Sequence, residues 1–90
     1  MEVQHQTFNT GGVFFIESDI KRIGEITYLK YGNHKIIIDS SFSIEETENL
    51  TIIITLVKEI VKYANKNDLK VVSVCPNISK LLKETILLLN

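Results

Sequence analysis

The sequence predicts a mixed α/β fold of the α+β kind, a twisted and mainly antiparallel sheet with two helices, in the order β-β-β-α-β-α. Three observations carry this. Up to Asp39 the apolar residues come in short β-branched or aromatic runs separated by turn residues. From Ser43 onward the apolar spacing becomes helical. A last short apolar run, Leu69 to Cys75, is stopped by Pro76, and a second helical pattern follows it.

Thr10-Gly11-Gly12 reads as a turn, and Val13-Phe14-Phe15-Ile16 behind it has the bulk of a strand. After a turn at Ser18-Asp19, residues 23 to 31 alternate as a second strand, with Ile26 and Tyr28 on one side and Glu25, Thr27 and Leu29 on the other. Gly32-Asn33-His34 is a tight connection, with His34 a solvated turn residue, and Lys35 to Asp39 is a third strand. Leu50, Ile53, Ile54, Val57, Val61 and Ala64 then recur at helical spacing and predict the longest element, ending near Asn65-Lys66-Asn67. Its start is either a capping box at Ser43 and Glu46 or an N-cap at Thr47. Ile52, Leu56, Ile60 and Tyr63 widen its apolar face, which implies burial on more than one side or a surface for a partner. The run 69–75 is a fourth strand, joined to the third by a β-α-β crossover, and Asn77 can cap a final helix over 78–89.

At 90 residues, with 44% apolar and 23% charged residues, the chain is expected to form one globular domain, residues 1–90, with little stability to spare. A net charge of -1 and a pI near 6.1 give no basis for binding a nucleic-acid backbone. No apolar run is long enough to span a bilayer, and no secretory leader is visible at Met1 to Gln6. The single cysteine, Cys75, excludes an internal disulfide and fits a reducing, cytoplasmic compartment. One cysteine with distant His5 and His34 offers no familiar zinc spacing, so no metal is expected.

Several of these pieces resemble the very small acetyl-CoA-dependent acetyltransferases of the GNAT superfamily. Gly24-Glu25-Ile26-Thr27-Tyr28 resembles the family's second strand, and Ile36-Ile37-Ile38-Asp39 the strand leading to its Asp-His-Thr motif. Val61-Lys62-Tyr63-Ala64 with Leu69-Lys70-Val71-Val72 resembles the helix end and next strand, and Cys75-Pro76 the Cys-Pro motif. The resemblance covers nearly the whole chain and implies transfer of an acetyl group from acetyl-CoA to an amine.

The departures fall where the chemistry belongs. Ser40 and Ser41 stand at the positions of the family's histidine and threonine. The family's Arg-Gly-x-Gly-x-Gly loop is replaced by Glu48, Asn49, Leu50, Thr51, Ile52 and Ile53, and Asn77 and Ser79 replace an aromatic and a basic residue after Cys-Pro. A helix N-terminus holds pyrophosphate through free amides and its dipole, with glycines allowing close approach. Side chains at Asn49, Thr51 and Ile53 crowd such an approach, and the Glu48 carboxylate, with Glu45 and Glu46 nearby, opposes a phosphate by roughly 1 kcal/mol or more.

By resemblance, then, Cys75 and Ser40 are the catalytic candidates, and Ser43, Glu48, Asn49, Thr51, Ile53, Asn77 and Ser79 the degenerate cofactor positions. A thiolate at Cys75 could take or pass on an acetyl group, but a strand-end cysteine acting as a small buried apolar side chain fits the sequence better, since Ser40 is no base to activate it. Ser40 and Ser41 read as turn residues, and Tyr28 and Tyr31 as groove-lining or cross-strand packing residues. Two functions compete: an N-acetyltransferase acting on an amine with weak or lost cofactor binding, and an inactive GNAT-fold module that recruits a protein partner, as a monomer or weak homo-oligomer. A third fold, that of a sulfate-transporter and anti-sigma-antagonist domain, is raised by Ile38-Asp39-Ser40-Ser41 but needs an early helix for which the sequence has no room.

Overall fold

Five strands, not four, form the sheet. A computed structural model describes residues 1–44 and 51–89. The elements are β1 (Gln4–Thr7), β2 (Gly11–Ser18), β3 (Lys21–Tyr31), β4 (Lys35–Ser43), α1 (Thr51–Lys66), β5 (Lys70–Ser73) and α2 (Pro76–Leu89). The strand order is β1-β2-β3-β4-β5; β1 to β4 pair antiparallel and β5 joins β4 in parallel after the α1 crossover. No helix occurs before Thr51 among the described residues, which removes the anti-sigma-antagonist fold.

The additional strand is β1, whose Gln-His-Gln-Thr sequence has no apolar face to announce it. It is held by pairing with β2, Gln4 opposite Phe15 through Thr7 opposite Gly12, and by the aromatic side of His5. Gly11 and Gly12, which read as a turn, lie inside β2; the turn itself is Phe8 to Thr10. The reason is Tyr28 on β3: a Cβ at Gly12 would sit 2.5 Å from its hydroxyl, so a side chain there is excluded.

The main core lies on one face of the sheet, while Val13 and Phe15 of β2 are buried on the other. Phe14, Ile16, Ile26, Tyr28, Ile36 and Ile38 pack against Leu56, Val57, Ile60, Val61 and Ala64 of α1, and Ile78 and Leu82 of α2 join the same core. The α1 face is wide because Ile52, Ile53, Leu56, Val57, Ile60 and Val61 are all buried, as the broad apolar stripe predicted. The capping candidates Glu46 and Thr47 lie outside the described residues, and Ser43 is the last residue of β4. At the other helix, α2 starts at Pro76 rather than being capped by Asn77: the Cys75 carbonyl accepts the first helical bond, from the Ser79 amide at 2.9 Å. Proline suits a first helical position because it lacks an N–H that would have no partner there.

Candidate functional site

The site is built by two strands of unequal length. β4 and β5 pair from Lys35 with Lys70 to Ile38 with Ser73, and one further bond joins the Val74 amide to the Ile38 carbonyl at 3.2 Å. β5 then turns away. The Cys75 amide donates to Ser73 Oγ at 3.0 Å, Ser79 Oγ donates to the Ser73 carbonyl at 3.1 Å, and Pro76 has no amide with which to continue a ladder. β4 runs on to Ser43, paired only with β3. An open cleft of about 640 Å³ lies between this extension and α2, with Ile53 of α1 also in its wall.

A bulge in β4 decides which side chains enter the cleft. Tyr28 is opposite Ile38 while Thr27 is opposite Ser40, so Asp39 is the extra residue. Beyond it, Ser41 is opposite Ile26 and Ser43 opposite Gly24, on the side of β3 that faces α1, and both line the cleft. Ser40 is opposite Thr27 and is not in the lining. Its hydroxyl bonds that of Thr27, which also donates to Asp39 Oδ1 at 2.8 Å.

The structure therefore brings together Cys75, Ser41, Ser43, Ile53 and Asn77, and leaves Ser40 on the other side of the sheet. Ser40 and Ser41 are strand residues, not the turn that their small polar side chains implied, because β4 continues past the point where apolar residues end. Cys75 is half-buried in the cleft wall. It lies past the end of β5 rather than within it, since the strand stops at Ser73. Ile53 does not crowd a helix end with a free side chain; at 8% exposure it is part of the core. Thr51 is exposed, and its carbonyl accepts from Thr55 Oγ1 at 2.7 Å. Glu48 and Asn49 lie outside the described residues. Ser79 turns its hydroxyl to the Ser73 carbonyl and so helps shape the β5–α2 corner.

Five residues of the lining escaped the sequence reading as site residues: Phe42, Ile78, Lys80, Leu81 and Glu84. The last three form, with Asn77, a stripe on α2 at spacings of three and four, beside the Ile78, Leu82 and Thr85 stripe that enters the core. That periodicity was present in the sequence, but nothing in it marks the second stripe as cleft rather than solvent.

Tyr28 and Tyr31 do not line the cleft. Tyr31 is exposed, with Lys35 Nζ 5.0 Å from its ring centre. Tyr28 is buried in an aromatic cluster with His5, Phe14 and Tyr63. His5 stacks on Phe14 with centroids 3.9 Å apart, meets Tyr63 edge-on, and its Nε2 is 2.6 Å from the Tyr28 hydroxyl. Partial desolvation by the rings packed against it, and secondarily the Lys30 charge, lower the His5 pKa below its usual 6.5. Burial also raises the Tyr28 pKa, helped by a hydrogen bond and the charge of Tyr63. This cluster fastens β1 to the body of the fold and shares no residue with the cleft.

Comparison with known proteins agrees with this geometry. The solution structure of a GCN5-like N-acetyltransferase candidate from Staphylococcus aureus is similar, with a TM-score of 0.72 and 28% identity over 92% of this chain and 78% of that one. No curated protein matches the chain. The family model described as GCN5-related N-acetyl-transferase matches residues 13–85, from the first buried side chain of β2 to the last buried side chain described on α2. With β4 and β5 parting at the Cys-Pro corner and the family model spanning most of the chain, the protein belongs to the GCN5-related N-acetyltransferase family.

Proposed function

We propose that the protein is an N-acetyltransferase in which the cleft between β4 and α2 receives the acetyl-pantetheine end of acetyl-CoA, for transfer of the acetyl group to an amine. The observation that carries this reading is the early end of β5, which leaves β4 unpaired on one side beside an open cleft of about 640 Å³. The lining fits such an arm: Phe42, Ile53, Ile78 and Leu81 are apolar walls, with Ser41, Asn77 and Cys75 as the polar or reactive groups. When bound, acetyl-CoA supplies the activated thioester.

The chain's own residues would then divide the work. The apolar walls would exclude water from the reacting carbonyl, and the Ser41 hydroxyl in the lining would be available to donate a hydrogen bond to it. The Cys75 thiol stands at the cleft wall as its nucleophilic or proton-carrying group. Ser40 is no general base, as its hydroxyl is engaged with Thr27 and lies outside the lining. A free thiol in this position suits a reducing, cytoplasmic setting.

Weak cofactor binding is part of the proposal. By resemblance Glu48 stands at the position of the arginine in the family's phosphate loop and puts a carboxylate there instead, and no glycine stands at Thr51 to Ile53. The alternative, a module that keeps the fold and recruits a protein, draws on one observation: the Ser40 position carries a hydroxyl bound into a Thr27–Asp39 network rather than a base. Titration with acetyl-CoA, followed by backbone amide signals, separates the two. Shifts at Ser41, Cys75 and Leu81 support the enzyme, whereas no change at millimolar acetyl-CoA would leave the interaction module standing.

A further inference from the structure

A cofactor with several phosphates is favoured by a cation, and by resemblance a carboxylate, Glu48, stands at the position of the family's arginine. Among the described residues the cleft contains a single cation, Lys80, and a single carboxylate, Glu84. They are four residues apart on α2 and so could pair with each other. They do not: the ion pairs among the described residues are Arg22 with Glu25 and Lys62 with Glu59. Lysine preceding glutamate is the less favourable order for such a pair on a helix, so little holds the ammonium to its neighbour. Lys80 is exposed, on a stem long enough to sweep the cleft wall while its head remains solvated.

We propose that Lys80 is the residue by which this chain holds the phosphate-bearing end of the cofactor, with Glu84 opposing it. The proposal rests on the reading of the cleft as an acetyl-CoA site. Phosphate anchoring has thus passed from the start of α1 to the wall of α2. Lys80 supplies a point charge to a phosphate oxygen, which tolerates a range of ligand poses and gives affinity that salt readily screens. Glu84, one turn further on, repels the same phosphates and keeps that affinity low. The ligand class that Lys80 favours is a phosphorylated thioester in preference to a bare pantetheine thioester, a preference that Glu84 limits.

The test uses two ligands, acetyl-CoA and S-acetyl-pantetheine, which carries no phosphate. Both are titrated into the full chain and into Lys80→Gln, Glu84→Gln and Lys83→Gln, with amide shifts of Ser41, Cys75 and Leu81 as the readout. Lys80→Gln should weaken acetyl-CoA binding about tenfold at low salt, the size of one charge-assisted contact. Glu84→Gln should tighten it about two- to threefold, through removal of a partly screened repulsion. Binding of S-acetyl-pantetheine should stay the same in every variant. Lys83→Gln, an exposed lysine outside the lining, should change neither ligand and so control for net charge. If acetyl-CoA binds Lys80→Gln as well as the unmodified chain, the assignment of Lys80 is wrong while the cleft reading survives. If both ligands weaken together in Lys80→Gln, the residue acts by shape and the proposal fails. If neither ligand moves those signals in any protein, the cleft reading itself is overturned.

Discussion

Replacing Gly24 by alanine probes how the sheet places the start of α1. Gly24 lies on β3 opposite Ser43, a residue of the cleft wall, and a Cβ built on it would collide with Cγ2 of Ile52. It would also lie 3.3 Å from Leu56 Cδ1 and 3.4 Å from the Phe42 carbonyl oxygen. Ile52 cannot swing aside, because a β-branched residue in a helix has one strongly preferred χ1 and this side chain is only 6% exposed. Relief must come from moving the first turn of α1. Overpacking of this kind costs about 1–3 kcal/mol. The stiffer unfolded chain of an alanine variant returns about 0.4–1 kcal/mol. The net loss is therefore about 1–2 kcal/mol, or a fall in Tm of roughly 4–16 °C for a domain of this size.

A double-mutant cycle isolates the contact. Ile52→Ala alone should cost about 2–4 kcal/mol by emptying a core position. In the double variant the new Cβ enters the space that Ile52 left, so the loss should be smaller than the sum by about 1–2 kcal/mol. Urea unfolding of the four proteins measures this directly. Losses that add to within about 0.5 kcal/mol would refute the collision as the reason for glycine at this position.

Below pH 6.5 the protein should lose stability: the His5 pKa is lowered in the fold, so the unfolded chain takes up a proton first, and folding is favoured fully only above that range. The raised Tyr28 pKa gives the opposite flank, with stability lost as pH rises above 10, and urea midpoints for His5→Gln and Tyr28→Phe should each flatten one flank only. Iodoacetamide should label Cys75 in the folded protein without prior unfolding, since the thiol is half-buried in an open cleft, and S-acetyl-pantetheine should slow the labelling; a rate that tracks global unfolding would place the thiol inside the core. Glu48→Arg should raise acetyl-CoA affinity about fivefold or more, read by calorimetric titration, and an unchanged affinity would show that this carboxylate does not face the phosphates.

By itself the sequence determined the element types, because periodicity reports burial: residues 23–31 alternate and become β3, and the wide stripe from Ile52 to Ala64 becomes the buried face of α1. Pro76 likewise bounded β5, since proline cannot extend a ladder, although the strand ends at Ser73 and not at Cys75. β1 was not legible: its four residues are polar and exposed, and what keeps them in place is pairing with β2 and the ring of His5 against Phe14. Nor was the strand character of Gly11 and Gly12, which follows from the close approach of Tyr28. The candidate site divided along the same line. Cys75 and Asn77 were found from a motif, but the exchange of Ser40 for Ser41 as the cleft residue depended on one extra residue, Asp39, in the β4 register. A bulge shifts every later side chain to the opposite face, and its cause lies in how two strands meet rather than in either strand alone. Nothing in the sequence singled out Lys80 and Glu84; only the parting of β4 from β5 makes their side of α2 the wall of a cleft.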